Sequence, residues 1–365
     1  MNLHVRLTTA CNAACTYCSC GPDDPVKLAD LPSVDQVVSG VEWLLQKTLP
    51  KGAKRHSRID LEILGGEILL LPMDWLEQCI RGIQDSITLF AWEQSIGCQS
   101  NLIAGPQKVA KLVTIFGTAI GTSTDNVRDY RRLAGSADNY RRKNEVGTRL
   151  VAERSHIPGV VWTCTRGNEA QAVKEYEINT AQGRSLTIRE VFQGANGVQR
   201  IDPDAYADAL VEVWNRWFLQ GTTVVNPLYR IVQAILNNKA VGCPWWRGCA
   251  GDSINMDANG DIYVCQEMND AELGKIGNTF DRTWDAEIWH WLALRKARID
   301  HSCMSCDVYD LCQGGCMLDA WSNTRDIYAI PAMCPTWKRI FRTVRRDVDH
   351  ENRQEIIEWI GTLST

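Results

Sequence analysis

The chain has 365 residues, 45% hydrophobic and 23% charged, with a formal net charge of -5. That length suits one large domain plus a smaller one, each with its own core, and the acidic balance excludes a general nucleic-acid binder. No apolar run approaches a membrane span, and the start MNLHVRLTTAC lacks the apolar region and cleavage site of a secretory signal, so a cytoplasmic protein without membrane attachment is expected.

The first half alternates short β-like runs with longer amphipathic ones. LHVRLTT (3–9) reads as a first strand that ends just before Cys11. SVDQVVSGVEWLLQ predicts a helix over 34–47, with Ser33 as N-cap and Asp35 in its first turn. IDLEILGG (59–66) is a second strand, MDWLEQCIRGIQD (73–85) a helix and QSIGCQSN (94–101) a third strand. Further strands are expected at TAIGTST (118–124), GVVWTC (159–164) and LTIREVF (186–192). Six βα-type units in the first part of the chain suit a partial, open barrel of α/β class rather than a closed eight-unit one.

From Ile201 the pattern changes. DPDAYADALVEVWNRWFLQ (202–220) and PLYRIVQAILNN (227–238) read as helices, and 243–334 is rich in Cys, Gly and Trp with short regular elements. Such a composition is expected where metal sites replace part of the hydrophobic core. TWKRIFRTVRRDV and RQEIIEWIGTL then read as terminal helices.

Cysteine is the outlier, with 15 in the chain. In a reducing compartment so many thiols are more often ligands than disulfides. Four lie within CNAACTYCSC (11–20), eight lie between 243 and 334, and Cys79, Cys98 and Cys164 are scattered as ordinary core residues would be. Cys11, Cys15 and Cys18 form C-x3-C-x2-C on a loop after a strand. Three thiolates on an iron–sulfur cube leave one iron open, as catalysis requires. A zinc site would want a fourth donor, from Cys20 or a distant His.

C-x3-C-x-Tyr-C after a first strand resembles the signature of radical S-adenosylmethionine (SAM) enzymes. The resemblance implies that the open iron chelates the methionine part of SAM, whose reductive cleavage gives a 5′-deoxyadenosyl radical. It implies that Tyr17 lies against the adenine. LGGEILLL resembles the family's GGEP segment: Gly65, Gly66 and Glu67 match and Ile68 stands where Pro is usual, which implies that this segment holds the SAM amino group. QSN (99–101) resembles the QTN turn, bringing in Gln99 and Asn101. GTSTDN (121–126) and RDYRRLAG (128–135) resemble the SxD and Arg-x-Gly stretches. They imply a hydroxyl contact from Ser123 and a carboxylate contact from Arg131, with Arg132 the alternative register.

The second cysteine series reads Cys243-x5-Cys249, Gly260-x4-Cys265, Cys303-x2-Cys306-x5-Cys312-x3-Cys316 and Cys334. From Cys249 onward it resembles the seven-cysteine SPASM domain, named for maturases of subtilosin, the quinone cofactor PQQ, anaerobic sulfatases and mycofactocin. The resemblance implies two auxiliary [4Fe–4S] clusters, one on Cys243, Cys249, Cys265 and Cys316, the other on Cys303, Cys306, Cys312 and Cys334. With the N-terminal cluster that makes three, and leaves Cys20, Cys79, Cys98 and Cys164 unassigned. Two structural zincs are the alternative for these eight cysteines. The implied organisation is a partial (β/α)6 TIM-like barrel over 1–200, a helical linker over 201–240, an iron–sulfur SPASM domain over 241–340 and a C-terminal helix over 341–365.

Saturated clusters suit electron transfer, so the expected net reaction is a two-electron oxidation after hydrogen abstraction, with SAM consumed. Enzymes resembling this combination act mostly on peptides, so a cross-linking maturase of a ribosomally made peptide is the leading expectation. A small-molecule dehydrogenase or rearrangement enzyme is the alternative. The sulfatase-maturating branch places an Asp base after an auxiliary-cluster Cys; here Gln266 follows Cys265, which disfavours formylglycine formation. Glu267 and Asp261 are the nearby carboxylates, candidate bases out of position. An epimerase would use a cysteine such as Cys98 or Cys164 as hydrogen donor and needs no oxidation. Only ten residues precede Cys11, so the expectation is that leader recognition would need a separate leader-binding protein or an extra surface, or else that the substrate is small. An electron donor such as flavodoxin or ferredoxin is the other expected partner. A plain electron carrier gains nothing from an open iron. PWWRG (244–248) reads as aromatic shielding, and the basic tail WKRIFRTVRR as a solvated helix face.

Overall fold

The computed structural model describes residues 1–18, 31–49, 56–191 and 200–364. Cys20 and the end of the strand expected over 186–192 lie outside the described residues. In chain order the elements are β1 (Asn2–Arg6), β2 (Ala13–Cys15), α1 (Val34–Thr48), β3 (His56–Leu64), α2 (Met73–Thr88), β4 (Ala91–Gln99), α3 (Pro106–Phe116), β5 (Ile120–Ser123), β6 (Arg131–Leu133) and α4 (Ala137–Ala152). Then come β7 (Val160–Cys164), α5 (Ala172–Ala181), β8 (Leu186–Glu190), α6 (Pro203–Trp217), β9 (Val225–Asn226) and α7 (Leu228–Leu236). The Cys-rich stretch supplies α8 (Cys249–Asp252), β10 (Ser253–Met256), β11 (Asp261–Tyr263), α9 (Gln266–Asp270), β12 (Gly277–Asn278), β13 (Thr283–Trp284) and α10 (Ala286–Ala293). Short helices α11 (His301–Met304), α12 (Tyr309–Cys312) and α13 (Met317–Thr324) lead to the terminal α14 (Cys334–His350) and α15 (Arg353–Thr362).

The chain packs as two compact units. The first takes Met1–Ser123, Arg131–Pro158 and Cys249–Ala293. Its β1, β3, β4 and β5 run parallel in that spatial order, as the βα alternation predicts. β10 joins the free side of β1, also parallel, and β11, β12 and β13 continue antiparallel. Alternate residues face the core, with Leu3, Val5, Ile59, Leu61 and Ile63 all buried. α1 opens with a capping box in which Ser33 and Gln36 satisfy each other's backbone donors. α2 buries Leu76, Ile80, Ile83 and Ile87 along one helical stripe. Because the strands are parallel, the segments that follow them emerge at one edge: the cysteine loop after β1, Gly65–Glu67 after β3, and the ends of β4 and β5.

The second unit takes Thr124–Tyr130, Gly159–Gly248 and Leu294–Thr365. β7, β8 and β9 are parallel, so the six βα strands expected from the sequence are β1, β3, β4, β5, β7 and β8. Its core is aromatic, with Trp162, Trp214, Trp217, Tyr206, Trp245 and Phe341 all buried. Trp245, from the PWWRG stretch, packs edge-on to Trp337, ring centres 4.7 Å apart. α14 buries Trp337, Ile340, Phe341, Val344 and Val348. Its basic face is internally paired: Arg339 meets Asp208, Arg342 meets Asp307 and Arg345 meets Asp310. Among the described residues, no helix is long and apolar enough to cross a membrane.

Candidate active site

Cys15 ends β2, a three-residue strand that pairs antiparallel with β6, an element the sequence pattern does not reveal. The register sets Cys15 opposite Arg131 and Ala14 opposite Arg132. Partners in a ladder share a face, and neighbours along a strand point to opposite faces. Arg131 is therefore the arginine aimed at the cysteine loop. Its Nη1 lies 3.8 Å from Cys15 Sγ, and its guanidinium stands over the Tyr17 ring, 5.1 Å from the centroid. A cation there favours the thiolate a metal needs. Tyr17 is buried, with the arginine rather than open space over its face.

The loop before Cys11 is fixed by the glycine pair. Gly66 N donates to Thr8 O at 2.8 Å and Glu67 N to Ala10 O at 2.8 Å. A Cβ on Gly66 would run into the carbonyls of Thr9 and Ala10, so only glycine permits this approach. Gly65 is less crowded, its Cβ position 3.1 Å from Thr8 O.

Glu67 finds its hydrogen-bond partners within the chain. It is 1% exposed, and Oε1 accepts from Leu69 N at 2.9 Å and Ser100 Oγ at 2.7 Å, while Oε2 accepts from Asn101 N at 2.6 Å. The carboxylate clamps the QSN turn. Burial raises its pKa against the pull of those donors. Asn101 passes the restraint on: its Nδ2 donates to Asn12 Oδ1 at 2.7 Å, and Asn12 Nδ2 donates to Ile103 O at 2.9 Å. Asn12 sits between Cys11 and Cys15. Leu102 follows at a φ of 58, and Gly147 of α4 leaves room for its carbonyl.

Gln99 Nε2 donates to Ser123 Oγ at 2.8 Å, and the Ser123 carbonyl accepts from the buried Tyr140 hydroxyl at 2.8 Å. With an acceptor site used by Gln99, the Ser123 hydroxyl still has its own proton to donate. Gly121 is bare because a Cβ there would meet the Gln99 side chain.

In the second unit, Cys303, Cys306, Cys312 and Cys334 line one cavity, walled by Val308, Gly314, Gly315, Pro331 and Trp337. Burial pushes Cys312 up to about 12, helped by the charges of Cys334, Cys303 and Cys306, so the four sulfurs feel one another. Cys316 is also pushed up to about 12, first by burial and then by Cys243. Cys243 and Cys316 belong to the second unit, Cys249 and Cys265 to the first. Among the described residues, no group of three or more His, Cys, Asp or Glu gathers as it would round a single metal ion.

The donors fit iron–sulfur cubes chemically: three thiols on one loop in the first unit, one of them beside a guanidinium, and four thiols round a cavity with an aromatic wall in the second.

No family model and no curated protein matches the chain. Solved structures do. The chain is similar to anSMEcpe with bound AdoMet at 16% identity and a TM-score of 0.76, over 96% of this chain and 100% of that one. The same protein with bound AdoMet and a Cp18Cys peptide matches at 16% identity and a TM-score of 0.73, over 99% of each chain. SuiB of Streptococcus suis matches at 15% identity and a TM-score of 0.59, over 92% of this chain and 77% of that one. The chain has the radical SAM/SPASM fold.

Within the radical SAM/SPASM fold, the two candidate bases are differently placed. Asp261, on β11, pairs with Lys275 at 2.7 Å and accepts from Asn278 Nδ2 at 2.8 Å. Glu267 lies in the first turn of α9. Gln266, beside it, donates to Asp270 at 2.9 Å. Asp270 and Asp257 share the buried Arg6 of β1: Arg6 Nη1 donates to Asp270 at 2.6 Å, and Nε and Nη2 fork onto Asp257 at 2.5 and 2.9 Å. Sequence reasoning missed this trio, whose members are some 250 residues apart (251 and 264). The only signal was a charged residue at a core position of a strand. Burial raises Cys79 to about 12 and lifts Cys98 and Cys164 well above the ordinary thiol range, so all three behave as core residues.

Proposed function

We propose that this chain is a SAM-cleaving radical oxidoreductase that acts on a peptide and removes two electrons from it. The observation that carries the reading is the convergence on Cys15. The cysteine loop, the Gly65–Glu67 segment and the Gln99–Asn101 turn are far apart in sequence and joined by hydrogen bonds of 2.6–2.8 Å, and Arg131 reaches Cys15 Sγ at 3.8 Å. An ordinary strand-end turn needs no such set.

In this reading Cys11, Cys15 and Cys18 hold a [4Fe–4S] cluster with one open iron, and Cys303, Cys306, Cys312 and Cys334 hold another, saturated one. When bound, the open cluster supplies the electron that splits SAM into methionine and a 5′-deoxyadenosyl radical. The chain's part is placement. Backbone carbonyls beside Gly65 and Gly66 meet the SAM ammonium. The Ser123 proton and the Arg131 guanidinium meet oxygens of SAM, the latter a charge-assisted bond to its carboxylate. Glu67 and Asn101 keep the cysteine loop in register with those groups.

Support for a peptide substrate comes from anSMEcpe, seen with AdoMet and peptide bound, and from the similarity to SuiB. A cross-link is favoured over formylglycine because Gln266, tied to Asp270, stands where that branch places its Asp. A separate leader-binding protein and a flavodoxin- or ferredoxin-like donor complete the proposal.

The test is mass spectrometry of a candidate precursor peptide, encoded beside this chain and co-expressed with it anaerobically. Loss of two hydrogens, confined to one residue pair, supports the reading. An unmodified peptide, with 5′-deoxyadenosine formed only on adding a small metabolite, transfers it to small-molecule oxidation.

A further inference from the structure

Arg295 lies in the short turn Leu294–Lys296 and is 0% exposed. Its Nη1 donates to the carbonyl of Ile327, and its Nη2 to Gly314 O at 2.7 Å and Gly315 O at 3.4 Å. Gly314 and Gly315 form part of the wall of the four-cysteine cavity, with φ of 90 and 67. Only glycine takes such angles cheaply, twice in succession. Gly315 N donates to Cys312 O at 3.0 Å, and a Cβ on Gly315 would meet Pro331 and lie 3.9 Å from Cys312 Sγ. The glycine backbone is therefore a thin partition: sulfur on one side, a guanidinium holding its carbonyls on the other.

Carbonyl oxygens accept the guanidinium's hydrogens, and arginine does not deprotonate in proteins, so the group stays a cation at any working pH. In a buried setting that charge acts over a longer range than in water.

We propose that Arg295 is a positioning residue that also acts through its charge. It fixes the Gly314–Gly315 partition and raises the reduction potential of the cluster held by Cys303, Cys306, Cys312 and Cys334. The proposal rests on the cluster assignment made under the proposed function. A cube on four thiolates is anionic and gains another negative charge on reduction. A fixed cation one peptide plane away stabilises the reduced form more than the oxidised one.

The test uses the full chain, loaded with iron and sulfide anaerobically, as wild type, Arg295→Met and Arg295→Lys. Iron per chain is counted, and the cluster is titrated electrochemically under EPR. Cys312→Ala shows which signal belongs to it. The Met variant is expected to keep its iron, with the reduction equilibrium at least tenfold less favourable, about 59 mV for one electron. The Lys variant should return most of that shift. An unchanged potential in iron-replete Arg295→Met overturns the proposal, as do equal shifts in the Met and Lys variants. Should the Met variant load poorly, full loading of the Lys variant supports the need for charge, and equal depletion of both overturns it. If Cys312→Ala removes neither iron nor signal, the cluster assignment itself has failed, a result separate from either outcome for Arg295.

Discussion

Glu67 shows how one side chain can organise a site from beneath. Its carboxylate accepts from Leu69 N, Ser100 Oγ and Asn101 N while fully buried, and the hold reaches the cysteine loop through Asn12. Glu67→Gln sets an amide donor against those donors, so unfolding should show a loss of about 1–3 kcal/mol. SAM cleavage should fall with it, because the cysteine loop loses its register. Wild-type stability in this variant would remove the clamp from the account. The G-G-E pattern was legible in the sequence, but the direction of its carboxylate was not, since a triplet carries no record of what surrounds it. Glu175 is a second buried carboxylate, which accepts from Asn126 N and Nδ2 at 2.7 Å each and Val127 N at 2.9 Å. Burial, its largest influence, raises its pKa from 4.5 to about 7. The folded state then holds this proton more tightly than the unfolded one. The resulting stability is complete below about 4.5 and is lost as pH rises through about 7. Denaturant titrations of wild type across that range should show the decline, and Glu175→Gln should flatten it. Parallel curves for the two proteins would contradict the assignment.

Among the elements, strongly patterned ones such as α1, α2 and the parallel strands were visible before the fold was known, while α3, α4 and α5 and the β2–β6 ribbon were not named from the sequence. α1 and α2 carry a helical stripe, and β1, β3 and β7 an alternation, that any core imposes. The β2–β6 ribbon has three residues a side, too few to show a period, yet its register decides that Arg131 and not Arg132 faces Cys15. Cysteine spacing was legible for the opposite reason: it can be read directly along the chain even where helices are only four residues long, as in α11 and α12. Arg6 was invisible because its partners depend on how β1 meets β10. Arg6→Met would leave Asp257 and Asp270 buried without their cation, and calorimetry or chemical unfolding should register about 3–5 kcal/mol of destabilisation. Burial, the largest single influence on Asp257, raises its pKa, but the hydrogen bonds and charge of Arg6, with hydrogen bonds from Asn269 and the Ala258 N–H, together hold it below its usual 3.8. That contribution is present above 3.8 and lost as pH falls through the lowered value, so the variant should also lack this part of the acid-limb protection.

For the whole molecule, the same architecture appears at 16% identity in anSMEcpe. Two features of this chain bear on what the sequence could reveal: parallel strand ends that collect loops at one edge, and cysteines at restricted spacings. The first explains why fold class was legible from alternation alone. The second explains why the class of chemistry was legible while the substrate was not, since nothing that recognises a peptide has to repeat along a sequence. Iron counting separates the two cysteine sites: Cys15→Ala and Cys312→Ala should each remove about four irons per chain. The central claim is that the cluster on Cys11, Cys15 and Cys18 has an open iron that receives SAM. It is tested most directly by the EPR spectrum of the reduced, iron-replete protein with and without SAM, counting 5′-deoxyadenosine in the same samples. The account predicts a spectrum that shifts on adding SAM and nucleoside that accumulates, both abolished by Cys15→Ala. A spectrum indifferent to SAM, with no nucleoside formed by fully loaded wild type, would contradict it.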